Sequence, residues 1–284
     1  RPPRSTLFPY TTLFRSVPVE PDPVSLNIDP QKISDRIHSK TRAILPVHLY
    51  GLPCEMDTIL QVARQKNLLV IEDNAQAQGA KYQEKMTGSF GICNATSLYP
   101  GKNLGALGDA GIITTNDPEI AVRCQKIRNY GSIRKYEHEL LGQNSRLDEL
   151  QAAFLRVKLK QLHAENAKRA EIAAIYQQEF SQISQIQLPA MNRYATSVHH
   201  LFVIRTHKRD ELQKYLANAG IETLIHYPIP PHLQPACKSL GYQAGDFPIT
   251  ERIAETCLSL PCNPVLNMLE VEYIVDTIIA WVHV

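Results

Sequence analysis

The residues best suited to chemistry stand in the stretch "SLYPGKNLGALGDAGIITT", Ser97 to Thr115. It places Lys102 after a short apolar run and before glycines at 105, 108 and 111. An amine placed there can grip phosphate, sit in solvent at a plain turn, or condense with an aldehyde as a Schiff base. Phosphate gripping in a P-loop requires Gly-x-x-x-x-Gly-Lys followed at once by Ser or Thr. Here Thr96 stands where the first glycine is needed and Asn103 follows the lysine, so that reading fails.

A Schiff-base lysine must first lose its proton, which desolvation and nearby cations promote. An aldehyde cofactor such as pyridoxal phosphate also needs an acid beside its ring nitrogen, because the protonated ring is the electron sink. Asp73, closing the run "LLVIED" (68–73), is the partner that the order of strands offers. Taken singly, a strand-end aspartate is an ordinary helix cap or turn residue and a loop lysine is ordinarily solvated. Both readings stay open on these residues alone.

The elements that must hold them alternate. "AILPVHL" (43–49), "LLVIED" (68–73), "ATSLYP" (95–100) and "GIITT" (111–115) read as short buried strands. "LPCEMDTILQVARQKN" (52–67) has helical spacing, and "DPEIAVRCQKIRNYG" opens on an Asp-Pro helix start and closes on Gly131. Strands spaced by helices predict an α/β fold with a largely parallel, doubly covered sheet. Such sheets bind ligands beyond the carboxyl ends of their strands. Asp73, the Ser97–Lys102 pair and His48 all stand at such ends.

A long amphipathic region runs from "SRLDELQAAFLRVKLKQL" to about Phe180, and 188–197 reads as a linker. Beyond it, "HLFVIRT" (200–206) and "IETLIHYPI" (221–229) read as strands, with helices at 208–220, near 248–258 and at 268–282. The expected division is a large domain over 17–180 and a smaller α+β domain over 181–284.

With 284 residues and 44% hydrophobic content the chain can bury a sizeable core, and 30 basic against 28 acidic side chains leave a net charge of +2. No strong field points to nucleic acid or a membrane surface, and no apolar run approaches a bilayer span. The six cysteines are scattered without a Cys-x-x-Cys pair, so the reading is buried thiols in a reducing compartment, with no metal. With no export signal recognisable, the expected compartment is cytoplasmic. "RPPRSTLFPYTTLFRS" (1–16) carries no period that continues past Val17 and resembles translated adapter sequence. It is read as a non-native leader and set aside.

"IEDNAQAQGA" (71–80), with "SLYPGKNLGALGDAG" after it, resembles the DegT-type nucleotide-sugar aminotransferases, a branch of the fold-type I pyridoxal-phosphate enzymes with the aspartate aminotransferase-like fold. "PVHLYGLPCEMD", "NYGSIRKYEHELLGQNSRLDELQAAFLRVKL" and "GIETLIHYPIPPH" extend the likeness over essentially 17–284. From "NYGS" onward it looks most like the 3-aminotransferases of dTDP-3-keto-6-deoxyhexoses. The resemblance implies pyridoxal 5'-phosphate as cofactor, L-glutamate as amino donor, a nucleotide-sugar acceptor and a homodimer with shared active sites.

The same resemblance gives each site residue its role. Lys102 would hold the cofactor and shuttle the proton, Asp73 would pair with the pyridine nitrogen, Gln76 would touch the ring hydroxyl, and Ser97 would bind the phosphate. Asn144 would reach the phosphate in the neighbouring subunit. Tyr99, Lys135, His226 and Tyr227 would line the sugar-nucleotide pocket. Without the family, Tyr99 is a core residue, Lys135 a solvated lysine, His226 a hydrogen-bonder at a strand end, and Asn144 a helix-start signal. His48, His138, His199, His200 and His232 receive no role beyond ordinary core or surface histidines. The glycines after Lys102 are expected to supply φ > 0 and close backbone approach.

The family pattern is entered midway, at "VPVEPDPVSLNIDP" (17–30). The segment that precedes it in the family, with its phosphate-gripping helix N-terminus, is expected to be missing, which leaves two rival readings beside the leading one. One is a non-catalytic truncated fragment with bare sheet edges. The other is a 4-keto-sugar aminotransferase, which would use the same catalytic residues. A sugar dehydratase of the same fold carries His where this chain has Lys102.

Overall fold

A computed structural model describes residues 15–190 and 193–283. The reading of 1–16 as a leader therefore falls, for 1–14, outside the described residues. In chain order the elements are α1 (Pro30–Ile33), β1 (Ala43–Ile44), α2 (Met56–Lys66), β2 (Leu69–Asp73), β3 (Lys81–Tyr82), β4 (Lys85–Met86), β5 (Cys93–Ser97), β6 (Gly111–Thr114) and α3 (Pro118–Ile127). Then come α4 (Glu149–Leu159), α5 (Leu162–Phe180), β7 (Ala195–Thr196), β8 (Phe202–Arg205), α6 (Arg209–Asn218), α7 (Pro248–Thr256), β9 (Cys257–Leu260) and α8 (Met268–Val282).

The site-bearing sheet has the order β1-β2-β5-β6. β1, β2 and β5 are parallel, while β6 returns antiparallel to β5. The α/β reading holds, with the sheet mixed at its last strand. β1 is shorter than "AILPVHL" suggests because Pro46 interrupts the ladder, and Val47 rejoins it as a bridge to Asp73. α2 begins only at Met56 and stops where Asn67 turns left-handed at φ 52°. The long amphipathic region divides at Lys160–Gln161 into α4 and α5.

The expected strand at 221–229 does not form. Only Leu224 pairs, with Ser259 of β9. Pro228, Pro230 and Pro231 deny the stretch beyond it its N–H donors, and the chain turns off the sheet at His226. The β3–β4 hairpin and β9 are elements that the sequence reading passes over.

Two cores carry the structure. Met56, Ile59 and Ala63 of α2 pack on Ile44 and Val70 beneath the four-stranded sheet. Tyr176 and Phe180 of α5 pack with Phe202, Ile204, Leu258 and the inner face of α8 around the β8–β9 pair. Each such buried side chain contributes about 1.5–3 kcal/mol of transfer free energy. A third cluster joins Leu26 and Tyr50 to Val203, Ile253 and Cys257. The carboxylate of Glu20 accepts the N–H groups of Ile249 at 2.8 Å and Thr250 at 3.0 Å, capping α7. The twenties of the chain thus pack on its C-terminal half.

Several apolar side chains stay open. All four residues of β6 are exposed, α3 buries none of its residues, and α4 buries only Leu155. Among the described residues no helix is long and apolar enough to cross a membrane.

Candidate active site

β2 and β5 run parallel with Asp73 opposite Ala95, so both strands end at the same edge of the sheet. Side chains alternate along a strand, and in-register neighbours share a face. Asp73, Ala95 and Ser97 therefore look one way, while Glu72 and Asn94 look the other. Ala95 is exposed, which leaves an open floor with a small side chain between the carboxylate and the hydroxyl.

The other face anchors this edge. Glu72 and His48 are both fully buried, and His48 Nε2 lies 2.9 Å from the carboxylate. The N–H of Cys54 donates to His48 Nδ1 at 3.1 Å, so the proton sits on Nε2 and is donated to Glu72. The backbone N–H groups of Gly88, Phe90 and Gly91 donate to the same carboxylate at 2.7, 2.5 and 2.7 Å. Burial by itself would raise the Glu72 pKa; the hydrogen bonds from His48, Gly91 and Gly88 outweigh it and hold the carboxyl below its ordinary value. The backbone of Asp73 is gripped as well: its N–H donates to Pro46 O at 2.9 Å and its carbonyl accepts from His48 N–H at 3.1 Å. One carboxylate oxygen of Asp73 accepts the N–H of Ala75 at 2.9 Å.

Lys102 sits in the turn directly after β5, where its N–H donates to Tyr99 O at 2.9 Å. Its side chain is half-buried and makes no ion pair among the described residues. Burial lowers its pKa, and the charge of Asp73 opposes that only in part. The lysine is thus a half-desolvated amine with a carboxylate in its field but not on it. His226 is pushed down by burial and then by the Lys102 charge, which places the loop at 226–227 near the amine.

The glycines act differently from the expectation. None of Gly105, Gly108 and Gly111 has positive φ. Gly105 is required for close approach: a Cβ there would lie 2.3 Å from Pro100 O and 2.8 Å from Tyr99 O. Only a bare Cα lets the chain fold back over the turn that carries Lys102.

Ser97 Oγ accepts the N–H of Tyr99 at 3.3 Å, an acceptor role that leaves its O–H to donate. Gln76 is buried, and its Oε1 takes the N–H of Tyr50 at 2.6 Å while Nε2 reaches the Tyr227 hydroxyl at 3.2 Å. One N–H of the Gln76 amide remains for a ligand. Tyr50 donates its hydroxyl to the His226 carbonyl, and His226 Nδ1 lies 2.8 Å from Ser259 Oγ. These bonds tie 226–227 to the Asp73–Lys102 edge.

The fold therefore brings together Asp73, Gln76, Lys102, His226 and Tyr227, with Ser97 and the exposed Tyr99 beside the lysine turn. Lys135 and Asn144 it does not bring there. The Lys135 ammonium lies 5.0 Å over the Tyr136 ring, and Asn144 Oδ1 accepts from Arg146 Nε at 3.1 Å on the exposed segment after α3. Sequence reasoning missed Tyr50, Asn103 and His200. The signal at His200 is a histidine pair directly before a buried strand. Its significance rests on Asn103, 97 positions earlier. Surface depressions of about 510 and 580 Å³ are lined by Pro118 and Glu119 of α3 with Val122 or Gly91, toward the start of β5 and not its Lys102 end.

An open floor, a free hydroxyl, a carboxylate and an unpaired half-desolvated lysine fit an aldehyde cofactor with a ring nitrogen and a phosphate. Residues 12–279 match the family described as DegT/DnrJ/EryC1/StrS aminotransferases. The chain is 51% identical over 260 residues to the dTDP-3-amino-3,6-dideoxy-alpha-D-galactopyranose transaminase of Aneurinibacillus thermoaerophilus, covering 92% of this chain and 71% of that protein. It is 48% identical over 262 residues to the protein of Saccharopolyspora erythraea named erythromycin biosynthesis sensory transduction protein EryC1, covering 92% and 72%. The crystal structure of S. venezuelae DesV in complex with a ketimine intermediate superposes with a TM-score of 0.92 at 44% identity, over 94% of this chain and 72% of that one. The chain belongs to the DegT/DnrJ/EryC1/StrS aminotransferase family and is a fold-type I, pyridoxal 5'-phosphate-dependent aminotransferase.

Proposed function

We propose that this chain transfers an amino group from L-glutamate to C3 of a dTDP-linked 3-keto-6-deoxyhexose, in the biosynthesis of a deoxyamino sugar. The observation that carries the reading is the half-buried Lys102 in the turn that follows β5, at the sheet edge where Asp73 ends the neighbouring parallel strand β2 and its charge acts on the amine. The choice of a 3-amino sugar rests on the name of the Aneurinibacillus relative and the motifs "NYGSIRKYEHELLGQN" and "TLIHYPIPPH".

The cofactor, when bound, supplies the aldehyde that takes up nitrogen and the protonated ring that accepts electrons from the substrate carbon. The protein's part is positional. Lys102, whose pKa is lowered by burial, gives up its proton more readily than a solvated lysine; its Nζ would hold the cofactor and carry the proton. Asp73 keeps a proton on the ring nitrogen, aimed by the grip of Pro46 and His48 on its backbone. Ser97 donates to phosphate, and Gln76 offers its remaining N–H to the ring hydroxyl. Tyr99, His226 and Tyr227 face the sugar.

Asn144 reaches the phosphate in the neighbouring subunit of a homodimer in this reading, which accounts for its exposure on the segment after α3. The open apolar side chains Leu107, Leu150 and Val157 are the surface a second copy covers. The large domain (17–180) and small domain (181–284) of this reading share α5, whose Tyr176 and Phe180 pack in the small domain's core, and the twenties of the chain pack on the small side; the compartment in this reading is the cytoplasm.

Incubation with pyridoxal phosphate, borohydride reduction and peptide mapping test the anchor, and amino-acid and keto-sugar nucleotide panels test donor and acceptor. A label on any lysine other than Lys102 sinks the anchor. Turnover only with 4-keto sugars overturns the regiochemistry.

A further inference from the structure

Two backbone carbonyls determine a chain of side-chain orientations that ends beside Lys102. A carbonyl can only accept. Gln78 O receives Asn166 Nδ2 at 2.9 Å, so Asn166 Oδ1 must face away from it, and it accepts Asn103 Nδ2 at 2.9 Å. Val198 O receives the same Asn103 Nδ2 at 3.0 Å. The Asn103 amide is therefore oriented twice over, with Oδ1 turned to His200 Nδ1 at 3.0 Å. An amide oxygen facing a ring nitrogen demands a proton on that nitrogen, so His200 is the Nδ1–H tautomer and carries its lone pair on Nε2.

Asn103 is buried and stands directly after Lys102. The relay has a second end at the neighbouring hydroxyl residue, since Gln78 Nε2 donates to Ser97 O at 2.6 Å. One polar chain thus spans β5's end, the lysine turn, α5 and the approach to β8. His200 is pushed down to about 3 by burial, then by the charges of Lys102, Arg169 and His226, so it stays neutral and adds no cation beside the amine.

We propose that His200 is a positioning residue for Lys102: by donating Nδ1–H to Asn103 it holds the residue after the lysine and sets the direction in which the amine leaves its turn. The proposal rests on the reading of Lys102 as the reactive amine, and its test separates the two. Three variants of the full chain replace the imidazole differently. In His200→Asn the amide nitrogen takes the Nδ1 position, in His200→Gln it takes the Nε2 position, and His200→Phe fills the volume with no donor.

The readout is the extent of Lys102 methylation by limiting formaldehyde and cyanoborohydride in cofactor-free protein, measured by peptide mass spectrometry across pH. His200→Asn is expected to label Lys102 within about twofold of the parent chain. Gln and Phe are expected to change it by about fivefold or more, the worth of one net hydrogen bond. Phe behaving like the parent chain, or Gln rescuing where Asn fails, overturns the proposal. Nitrogen NMR of the imidazoles in the unmutated chain needs no variant: an Nε2–H tautomer at His200 also overturns it. If pyridoxal phosphate and borohydride leave Lys102 unmodified in the unmutated chain, the reading of the lysine fails instead, and the tautomer result stands on its own.

Discussion

His48 and Glu72 meet across 2.9 Å with both side chains fully buried, one strand position away from Asp73, whose charge acts on Lys102. Two consecutive acids on β2 thus have opposite fates. Strand alternation sends Glu72 into a nest of backbone N–H groups from 88–91 and turns Asp73 to the open floor above Ala95. The fully buried acid makes the half-buried one precise, because it clamps the strand from which Asp73 projects.

Replacing Glu72 by Gln puts an NH2 group among N–H donors. The expected cost is about 2–4 kcal/mol of folding stability, measured by denaturant unfolding, with Asp73 displaced as a consequence. A loss under 1 kcal/mol would show that the nest is not fully formed.

Asp73→Asn retains the shape but removes the charge beside the ring nitrogen, the same charge that opposes the fall in the Lys102 pKa. Transamination should fall by about 10²–10⁴-fold while stability changes little. The Lys102 labelling profile should move to lower pH; a shift upward contradicts the Asp73–Lys102 coupling.

Lys102→Ala should abolish the borohydride-trapped adduct and lower kcat by about 10³-fold or more, without loss of fold. Mass spectrometry of the reduced protein and steady-state rates check the two halves separately.

Gly105→Ala drives a methyl group into Pro100 O. Overpacking of this kind costs about 1–3 kcal/mol, and the lysine turn is where the strain must go. The melting temperature reports the cost, and slower trapping of pyridoxal phosphate reports the displaced amine.

Stability should rise with pH between about 4 and 6.5. Burial lowers His199 to about 4 and His200 to about 3, so both are neutral in the fold while the unfolded chain still binds their protons. Each lowered histidine costs about 1.4 kcal/mol per pH unit as pH falls below its unfolded value near 6.5. Glu72, whose folded pKa is depressed, adds a loss only below about 4.3, as its carboxyl is protonated. Unfolding curves from pH 4 to 8 test the sign: a chain equally stable at 5 and 7 would refute it.

The sequence by itself determined the alternating α/β order and the family, and it offered Asp73 and Lys102 as strand-end candidates, because hydrophobic periodicity and a long motif are local properties. "IEDNAQAQGA" and "SLYPGKNLG" each lie within one strand and the turn after it, which puts Asp73 and Lys102 at strand ends; that the two ends share one sheet edge follows from the parallel β2–β5 pairing. What only the tertiary structure decided are relations between distant residues. It showed that β6 runs antiparallel, that 221–229 leaves the sheet at its prolines, and that Gly105 serves close approach and not positive φ. It also assigned the proton on His200, which depends on Gln78 O and Val198 O, two carbonyls that no local pattern connects to a histidine. A hydrogen-bond direction is set by what stands at both ends of it, and here the ends lie on different elements of the fold.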